Sequence, residues 1–358
     1  MKYAIAPLDF ESDFDSFINL SKLIYGDNAV TDKDMYKWLA EENIFTPGHS
    51  HLFHVAKDKD VVVASDFLQP VPLRIKDKSY LAAWSIKTMT HPEYRRQGIF
   101  AAMTEHNIHK ARETGVDVIL GFANASSFPG YKKFGWDVLF ERRAVVRPLD
   151  ISRPLKQKLK LAPLASALNA AFRAWDSLRR KKIKATLDIT PETEMPQEAG
   201  KLWEEMKKEF PVLIERTPKY LDWRYIQRPR HDYQILAARH EQQLKGLLIF
   251  RYRQSNQSCI LIDYIGPLEK DTICQLVHFL VEACIDKGIR YIISSSGETF
   301  DTLLEKHMHF KRLATAMANN MFIACIINPE LQANMLSQAN DWFYGYGDSE
   351  LDIDLQPR

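Results

Sequence analysis

The stretch HPEYRRQGIFAAM, residues 91–103, decides the fold of the first half of the chain. It follows YLAAWSIKTMT (80–90), an apolar run with the composition of a strand. It leads into GIFAAMTEHNIHKARETG (98–115), whose apolar residues recur at roughly helical spacing. The next run, VDVILGFA (116–123), predicts a second, short buried strand. Strand, helix and strand in this order predict a parallel pair joined by a right-handed crossover.

The turn between this strand and this helix has the chemistry of an anion site. The first N–H groups of a helix have no partner inside it and carry the positive end of its dipole. Arg95 and Arg96 add positive charge, and Gly98 lets an anion approach the backbone closely. These features predict a pyrophosphate cradle, and a basic helix cap without a ligand is the alternative. The predicted cradle comprises Arg95, Arg96, Gln97, Gly98, Ile99, Phe100 and Ala101.

Two motifs in this region resemble those of the GCN5-related N-acetyltransferase (GNAT) superfamily. The first, V-x-P-x-x-R-x-x-G-x-G/A, corresponds here to Thr90, Pro92, Arg95, Gly98 and Phe100, with phenylalanine in place of the last small residue. The second, N-x-x-A-x-x-x-Y-x-x-x-G-F, corresponds to Asn124, Ser127, Tyr131, Gly135 and Trp136. The glycine patterns of a P-loop and of a dinucleotide-binding turn are both missing from the cradle.

The resemblance implies that acetyl-CoA is the acyl-donor substrate. In the family, amides of the cradle hold the pyrophosphate. The second motif implies that Asn124 touches the pantetheine or its loop. Ser127 is expected beside it. An amine would attack the thioester carbonyl directly, and a backbone N–H at Met89 or Thr90 would stabilise the charge on the carbonyl oxygen. Tyr131 is the expected proton donor to the leaving thiolate, because a phenol has a reference pKa near 10. A packing aromatic at the edge of the core is the alternative for Tyr131.

The general base stays open at this stage. The candidates are Asp66, His54, His91, Glu93 and the acidic C-terminal stretch GDSELDIDLQPR (347–358). Each of the four side chains has a structural or solvated role as its alternative. A covalent acyl-cysteine step in the first half is excluded at this stage, because no cysteine precedes Cys259.

The second half repeats the order of the first, namely hairpin, strand, helix, strand and helix, which suggests an internal duplication. Its strand CILIDYIGP (259–267) is followed by no R-x-x-G turn, and its last helix (298–310) has no tyrosine. We therefore expect this half to have lost cofactor binding and to shape the acceptor site or a dimer. The predicted fold is α/β with two GNAT-like domains, each a mixed twisted sheet flanked by helices.

The predicted domain limits follow from composition as well as from the repeat. They are 1–150 for a catalytic GNAT domain, 151–189 for a basic helical linker, 190–330 for a degenerate GNAT-like domain and 331–358 for an acidic aromatic tail. Aromatic and charged residues concentrate in LDWRYIQRPRHDY (221–233) and DWFYGYGDSELD (341–352). Such stretches line sugar or peptide sites, and they also form ordinary domain seams.

The linker is the most basic part of the chain. Between Arg153 and Lys184 there are ten Lys or Arg and one acid, Asp176, so this segment carries about +9 and the rest about −7 of a net +2. An apolar stripe accompanies the charge, formed by Leu161, Leu164, Leu168, Phe172 and Trp175. A solvated helical linker and a surface that docks on anionic lipid or another polyanion are both compatible with this pattern.

Composition narrows the remaining choices. Apolar residues make up 46% and charged residues 26% of 358 positions, as in an ordinary globular chain. No apolar run approaches 18 residues, the N-terminus has no signal-peptide pattern, and the four cysteines form no CxxC pair. We therefore expect a cytoplasmic protein that uses no metal and binds no DNA.

The sequence as a whole favours an acetyl-CoA-dependent N-acetyltransferase that acts on a primary amine of a small molecule or amino sugar. Two alternatives stay open. One is an aminoacyl transferase of the FemX type that uses aminoacyl-tRNA, which the basic linker would suit. The other is a CoA-binding scaffold without catalytic activity. Peripheral membrane contact through 153–184 and a homodimer are further expectations.

Overall fold

The computed structural model describes residues 3–48, 51–159, 162–180, 183–230, 232–254, 256–313, 321–331 and 336–349. The strands in chain order are β1 Ala4–Pro7, β2 Phe53–Asp58, β3 Val61–Ile75, β4 Lys78–Thr90, β5 Val118–Ala123, β6 Trp136–Glu141, β7 Val145–Pro148, β8 Asp188–Glu192, β9 Val212–Ile214, β10 Tyr233–His240, β11 Gln243–Arg253, β12 Ser258–Ile265, β13 Tyr291–Ser294, β14 Lys311–Arg312, β15 Met321–Ile326 and β16 Trp342–Phe343.

The α-helices lie between these strands and cover their faces. In chain order they are α1 Phe14–Tyr25, α2 Lys33–Ala40, α3 Ile99–Glu113, α4 Phe128–Lys132, α5 Ser152–Leu159, α6 Ala162–Arg180, α7 Ala199–Met206, α8 Pro218–Leu221, α9 Lys270–Asp286 and α10 Glu298–Met308. The predicted order of hairpin, strand, helix, strand and helix is confirmed in both halves. No helix within the described ranges is long and apolar enough to cross a bilayer.

The strands form two mixed sheets. The first has the order β1-β2-β3-β4-β5-β15-β6, with β9 pairing to the far end of β3 and β16 pairing to β9. The second has the order β14-β7-β13-β12-β11-β10-β8. When the second order is read backwards, β12 and β13 occupy the places that β4 and β5 have in the first, so these two pairs correspond. The predicted fold class, two mixed sheets flanked by helices, is confirmed.

The two halves exchange strands, and the first sheet also includes β9 and β16 of the second half. Strand β15 comes from the second half but lies antiparallel between β5 and β6 of the first sheet. Strand β7 comes from the first half but pairs with β13 and β14 of the second sheet. The domain limits at 150 and 330 stay predictions about the sequence. Each sheet nevertheless contains at least one strand from the other side of the limit at 150. This reciprocal exchange binds the two halves into one structure.

The aromatic stretches of the second half lie in a buried seam. Trp223 stacks on Trp38 of α2 with ring centroids 4.9 Å apart, and Trp342 packs against Phe322 of β15 at 4.9 Å. Trp223, Arg224, Tyr225, Trp342, Tyr344 and Tyr346 are all buried. Of the two interpretations offered by the sequence, the structure supports packing for these six side chains.

Candidate active site

The site lies where two parallel strands of the first sheet separate. Strands β4 and β5 pair only between Ala82–Trp84 and Val118–Leu120, although β4 continues to Thr90 and β5 to Ala123. Beyond Trp84 the strands diverge around a cavity of about 380 Å³. We call this opening the first wedge; it is bounded by residues 85–90 of β4 and 121–124 after the paired part of β5. A ligand can therefore reach backbone and side chains of both strands.

A bulge in β4 shapes one wall of the first wedge. The register between β3 and β4 shifts across Asp66, so that Lys87 and Thr88 lie opposite this one residue. Lys87 adopts φ 51°, and the Ser65 hydroxyl donates to its carbonyl oxygen at 2.6 Å. A bulge of this kind redirects the side chains that follow it. Here it brings the Thr88 hydroxyl towards both Asp66 and the cavity.

A chain of hydrogen bonds runs from the cavity to a buried carboxylate. The hydroxyl of Tyr131 donates to Thr88 Oγ1 at 3.2 Å, and Thr88 Oγ1 donates to Asp66 Oδ1 at 2.9 Å. Ser85 Oγ donates to the same carboxylate oxygen at 2.9 Å. Tyr131, Thr88 and Ser85 line the cavity, whereas Asp66 lies behind them. The arrangement fixes the Tyr131 hydroxyl at the cavity wall.

The environment of Asp66 makes it easier to protonate than an ordinary aspartate. Complete burial raises its pKa to about 6, although the hydrogen bonds from Ser85, Thr88 and Asn107 act in the opposite direction. Its titration therefore falls just below neutral pH. At neutral pH the carboxylate form, an acceptor, predominates and holds Thr88 in the donor role towards it.

Phe100, the departure from the family motif, covers Tyr131 from one side. The two rings lie 5.0 Å apart at 82°, an edge-to-face contact. Gly130 makes room for this ring, because a Cβ built at Gly130 would lie 2.8 Å from the Phe100 ring. Phe100 also lines the cavity. The bulky residue thus forms part of the wall instead of filling the opening.

The start of α3 has the backbone geometry that the sequence predicted. Gly98 precedes the helix with φ 82°, and Arg96 also has a positive φ of 61°. The first intrahelical bond runs from the Ala102 N–H to the Gly98 oxygen at 3.0 Å, so the amides of 99–101 precede it. Arg95 Nε and Gln97 Nε2 donate to carbonyl oxygens of the same turn, at 3.3 and 2.9 Å. The turn is exposed and anchored by its own side chains.

Asn124 and Ser127 build the turn that aims Tyr131. The Asn124 side-chain oxygen accepts from the backbone N–H groups of Ser126 and Ser127 at 2.9 and 3.0 Å. Ser127 Oγ in turn accepts from the Asn124 N–H at 3.1 Å. These bonds fix the entry to α4, which carries Tyr131. Both residues also line the cavity.

The predicted cofactor residues divide into two groups in the structure. Those that line the cavity are Met89, Thr90, Phe100, Asn124 and Ser127, together with the predicted catalytic residue Tyr131. Those that lie at the start of α3, outside the cavity lining, are Arg95, Arg96, Gln97, Gly98, Ile99 and Ala101. The two groups suit the two ends of one extended ligand. Their individual roles stay predictions.

The candidate bases are separated by the structure. His54 is buried and bonds to Asn107 at 3.0 Å, and burial together with His106 lowers its pKa to about 4. His91 accepts from the Glu93 N–H in the turn before α3, at 3.3 Å. The cavity lining does not include His54, His91 or Glu93, whereas Asp66 bonds directly to the lining residues Ser85 and Thr88. Of the C-terminal stretch, Ser349 lines the cavity, and 350–358 lie outside the described residues.

The first sheet contains a cysteine, contrary to the expectation from the sequence that excluded an acyl-cysteine in the first half. The strand exchange places Cys325 of β15 in the first sheet, so this sheet does contain a cysteine. Burial raises the pKa of Cys325 to about 11, and its thiol contacts the Phe134 carbonyl oxygen at 3.8 Å. Cys325 is also outside the cavity lining. A buried, protonated thiol is a poor nucleophile, so the conclusion stands on these grounds instead.

Several residues that line the cavity were not predicted from the sequence. Ser85 and Thr88 gave no signal, because a bulge in the middle of a strand does not follow from the alternation of its residues. Ile323 and Ser349 reach the first wedge from the second half of the chain. Tyr25 reaches it from the end of α1, where its ring lies 5.3 Å from Lys87 Nζ. The expectation that the second half shapes the site is supported by Ile323 and Ser349.

The counterpart opening in the second sheet is filled. Strands β12 and β13 pair only between Ser258–Ile260 and Tyr291–Ile293. Beyond them, in what we call the second wedge, runs the segment 342–348. A Cβ built at Gly345 would lie 2.5 Å from the Ile262 oxygen, and one built at Gly297 would lie 2.6 Å from the Trp342 oxygen. Polypeptide therefore occupies the space that is a cavity in the first sheet.

Buried charges hold this segment in the second wedge. Arg216 Nη2 donates to Asp348 Oδ2 at 2.6 Å and to Asp263 Oδ1 of β12 at 3.2 Å. Tyr220 donates to Asp348 Oδ1 at 3.2 Å, and Tyr225 donates to Asp263 Oδ2 at 2.6 Å. All five side chains are buried. This network makes the closed state of the second wedge part of the fold.

Comparison with known proteins agrees with the motifs in the first half. Residues 5–139 match the family model described as an acetyltransferase (GNAT) domain. No curated protein sequence is significantly similar to the chain.

Solved structures with a similar fold cover most of the chain. A GCN5-related N-acetyltransferase from Anabaena variabilis matches over 91% of this chain and 73% of its own, with 13% identity and a TM-score of 0.64. One from Kribbella flavida matches over 91% and 71%, with 10% identity and a TM-score of 0.61. A probable N-acyltransferase from Enterococcus faecalis matches over 91% and 72%, with 11% identity and a TM-score of 0.60. At these identities the similarity is one of fold, and it extends over both sheets.

Proposed function

We propose that the chain, whose residues 5–139 match the model of an acetyltransferase (GNAT) domain, transfers an acetyl group from acetyl-CoA to a primary amine. The observation that carries this proposal is the first wedge, in which the Tyr131 hydroxyl faces a cavity of about 380 Å³. The exposed helix start at Gly98 supplies amide donors and two arginines for a pyrophosphate. The proposed acceptor is a small molecule, and an amino sugar is the first candidate.

The proposed reaction is a direct transfer. The amine nitrogen attacks the thioester carbonyl carbon, the carbon–sulfur bond breaks, and the nitrogen gives one proton to water. Tyr131 gives its hydroxyl proton to the departing thiolate and regains a proton from solvent. Backbone N–H groups at Met89 or Thr90 are the proposed donors to the carbonyl oxygen while it carries negative charge.

Asp66 acts in this proposal as a positioning residue. It touches neither the donor nor the acceptor, because Ser85 and Thr88 lie between it and the cavity. Its charge strengthens the hydrogen bond from Thr88, which leaves a lone pair of Thr88 Oγ1 for Tyr131. The result is a hydroxyl held at one position of the wall when the thioester arrives.

The start of α3 favours a CoA thioester over aminoacyl-tRNA as donor. A helix terminus with free amides, Arg95 and Arg96 suits a compact pyrophosphate, which the ester end of an aminoacyl-tRNA does not offer. Four buried cysteines without a disulfide support the cytoplasm as the proposed location.

The test is a free-thiol release assay with acetyl-CoA and a panel of primary amines that includes amino sugars. The expected result is thiol release that depends on both the acceptor and acetyl-CoA. Thiol release with no amine in the panel, by protein that binds acetyl-CoA, would leave only a CoA-binding role. Transfer from aminoacyl-tRNA without any response to acetyl-CoA would contradict the proposal.

A further inference from the structure

The helical pair α5–α6 is firmly attached to the fold by one face. The carboxylate of Asp176 accepts from Arg147 Nη2 of β7 at 3.0 Å and pairs with Arg180 Nε at 3.0 Å. Asn169 accepts from the Ile151 N–H at 2.8 Å and donates to Asp150 at 2.9 Å. The orientation of α6 is therefore fixed, and with it the identity of the face that points away from the protein.

The outer face of α6 carries a row of exposed apolar side chains. Leu164, Leu168, Trp175 and Leu178 are 46, 42, 52 and 65% exposed. At about 100° per residue these four lie within an arc of about 80°, whose centre is roughly 125° away from that of the buried face. Phe172 of the predicted stripe is half-buried, and Leu161 lies outside the described residues. Single exposed leucines are ordinary, whereas a continuous row indicates a binding surface.

Positive charge surrounds this apolar row and is not compensated. Among residues 153–184 the one acid is Asp176. Its buried carboxylate already pairs with Arg147 and Arg180, so it does not neutralise the exposed cations of the segment. Exposed cations within the described part of the segment are Arg153, Lys156, Lys158, Arg173, Arg179 and Lys184. The Arg179 guanidinium lies 4.3 Å from the Trp175 ring centroid, which joins charge and apolar surface in one place.

Two clefts beside α6 extend the basic surface. One, of about 250 Å³, is lined by Arg147, Arg179, Arg180, His307 and His309. The other, of about 300 Å³, shares Arg147, Arg179 and His309 and adds Lys306 and Lys311, with Asp176 and Glu305 as its acids. Clefts of this size and charge suit a phosphate group and its immediate substituents.

From these features we propose that α5–α6 docks the protein on the surface of an anionic phospholipid bilayer. The apolar row enters the boundary between headgroups and acyl chains, Trp175 lies at headgroup depth, and the surrounding cations and basic clefts contact lipid phosphates. A bilayer offers both an apolar layer and anionic groups. A second copy of this surface would bring like charges together, and a nucleic acid would leave the apolar row in water. The proposal is independent of acyl transfer.

The experiment is co-sedimentation of the full chain with vesicles. One set contains phosphatidylcholine mixed with phosphatidylglycerol and the other phosphatidylcholine alone. The wild type is expected to bind the anionic vesicles, less so at high salt, and to leave the neutral ones unbound. The double variant Leu168→Ser with Leu178→Ser is expected to bind about tenfold or more weakly, because it removes apolar area from the row.

The matched control is Leu23→Ser with Val61→Ser. These side chains are 53 and 55% exposed and lie on α1 and at the start of β3, outside the row. The control is expected to bind like the wild type. Wild-type protein that stays in the supernatant with anionic vesicles would overturn the proposal. Equal binding by the Leu168 and Leu178 variant would overturn it as well.

Tryptophan quenching by brominated lipids adds a readout for the orientation. The wild type is expected to lose fluorescence on brominated anionic vesicles, and Trp175→Phe is expected to lose most of that response. A response unchanged in Trp175→Phe would contradict the orientation. A wild-type dimer in solution that Leu168→Ser with Leu178→Ser converts to monomer would assign the row to a second copy of the chain instead.

Discussion

Strands β4 and β5 diverge around an open cavity, whereas β12 and β13, their counterparts in the second sheet, diverge around residues 342–348 of the same chain. Each sheet pairs its two strands over three residue pairs before they separate. A wedge is therefore a product of the topology, and its unpaired backbone groups must bond to solvent, to a ligand or to the chain itself.

The helices that follow the two wedges, α3 and α9, start with opposite charges. The basic start adjoins the open wedge, and the acidic start adjoins the filled one. The first wedge adjoins Arg95, Arg96 and Gly98 at the start of α3, which favour an anion. The start of α9 carries Glu269 and Asp271, which would repel one. Two sheets of related strand order thus differ in use: the first stays open beside basic groups, and the second is closed by its own chain.

The largest effect is expected from a negative charge placed at the start of α3, beside the open wedge. Gly98→Glu should weaken acetyl-CoA binding by about a thousandfold, because a carboxylate would face the pyrophosphate and occupy its amide donors. Gly115→Glu is the matched control, since Gly115 ends the same helix with a similar φ of 76° and equal free space. Calorimetry measures both. Equal loss in the two variants would assign the effect to backbone strain instead of charge.

A substitution in the filled second wedge should lower the free energy of unfolding and leave ligand binding at the first wedge intact. Asp348→Asn should lower the free energy of unfolding by about 3 kcal/mol, because it removes one carboxylate from the buried Arg216 network. Acetyl-CoA affinity at the first wedge should change little. Urea denaturation measures the first quantity, with Glu330→Gln, an exposed acid, as the control. A stable Asp348→Asn variant would show that the segment is not held by this network.

Tyr131→Phe should lower kcat about a hundredfold with little change in KM for acetyl-CoA. The substitution keeps the ring contacts with Phe100 and Trp136 and removes only the hydroxyl. Thiol-release kinetics at saturating acceptor measure both constants. A variant with full kcat would reduce Tyr131 to the packing role that the sequence left as its alternative.

Asp66→Asn should lower kcat about three- to tenfold at neutral pH and have little effect near pH 5, where the wild-type carboxyl is protonated. The wild type should therefore show an activity step near pH 6 that the variant lacks. A step that persists unchanged in the variant would assign the titration to another group.

Stability supplies a second readout for the same residue. The folded pKa of Asp66, about 6, lies above its ordinary 3.8, so the folded state holds this proton more tightly than the unfolded state does. The associated stabilisation is fully present below about pH 4 and is lost as the pH rises through about 6. Relative to the wild type, Asp66→Asn should gain stability over that interval, as thermal unfolding at several pH values would reveal.

The features that depend on the local spacing of residues could be predicted from the sequence. The cradle at 95–101 and the positions of Asn124 and Tyr131 follow from short motifs, and the order of elements follows from hydrophobic periodicity. The strand exchange was not predictable, because β7 and β15 are short runs whose partners lie far away in the chain. The bulge at Lys87 and the contribution of Ser349 were missed for similar reasons, since tertiary packing decides both.

Calorimetry on the wild-type chain would give the number of acetyl-CoA molecules that it binds. This number depends directly on which of the two wedges is open. An open first wedge and a filled second wedge predict one molecule bound per chain. Two molecules per chain would show that the segment 342–348 yields to the ligand in the second wedge. No binding by folded protein would contradict the assignment of the first wedge as the acyl-donor site.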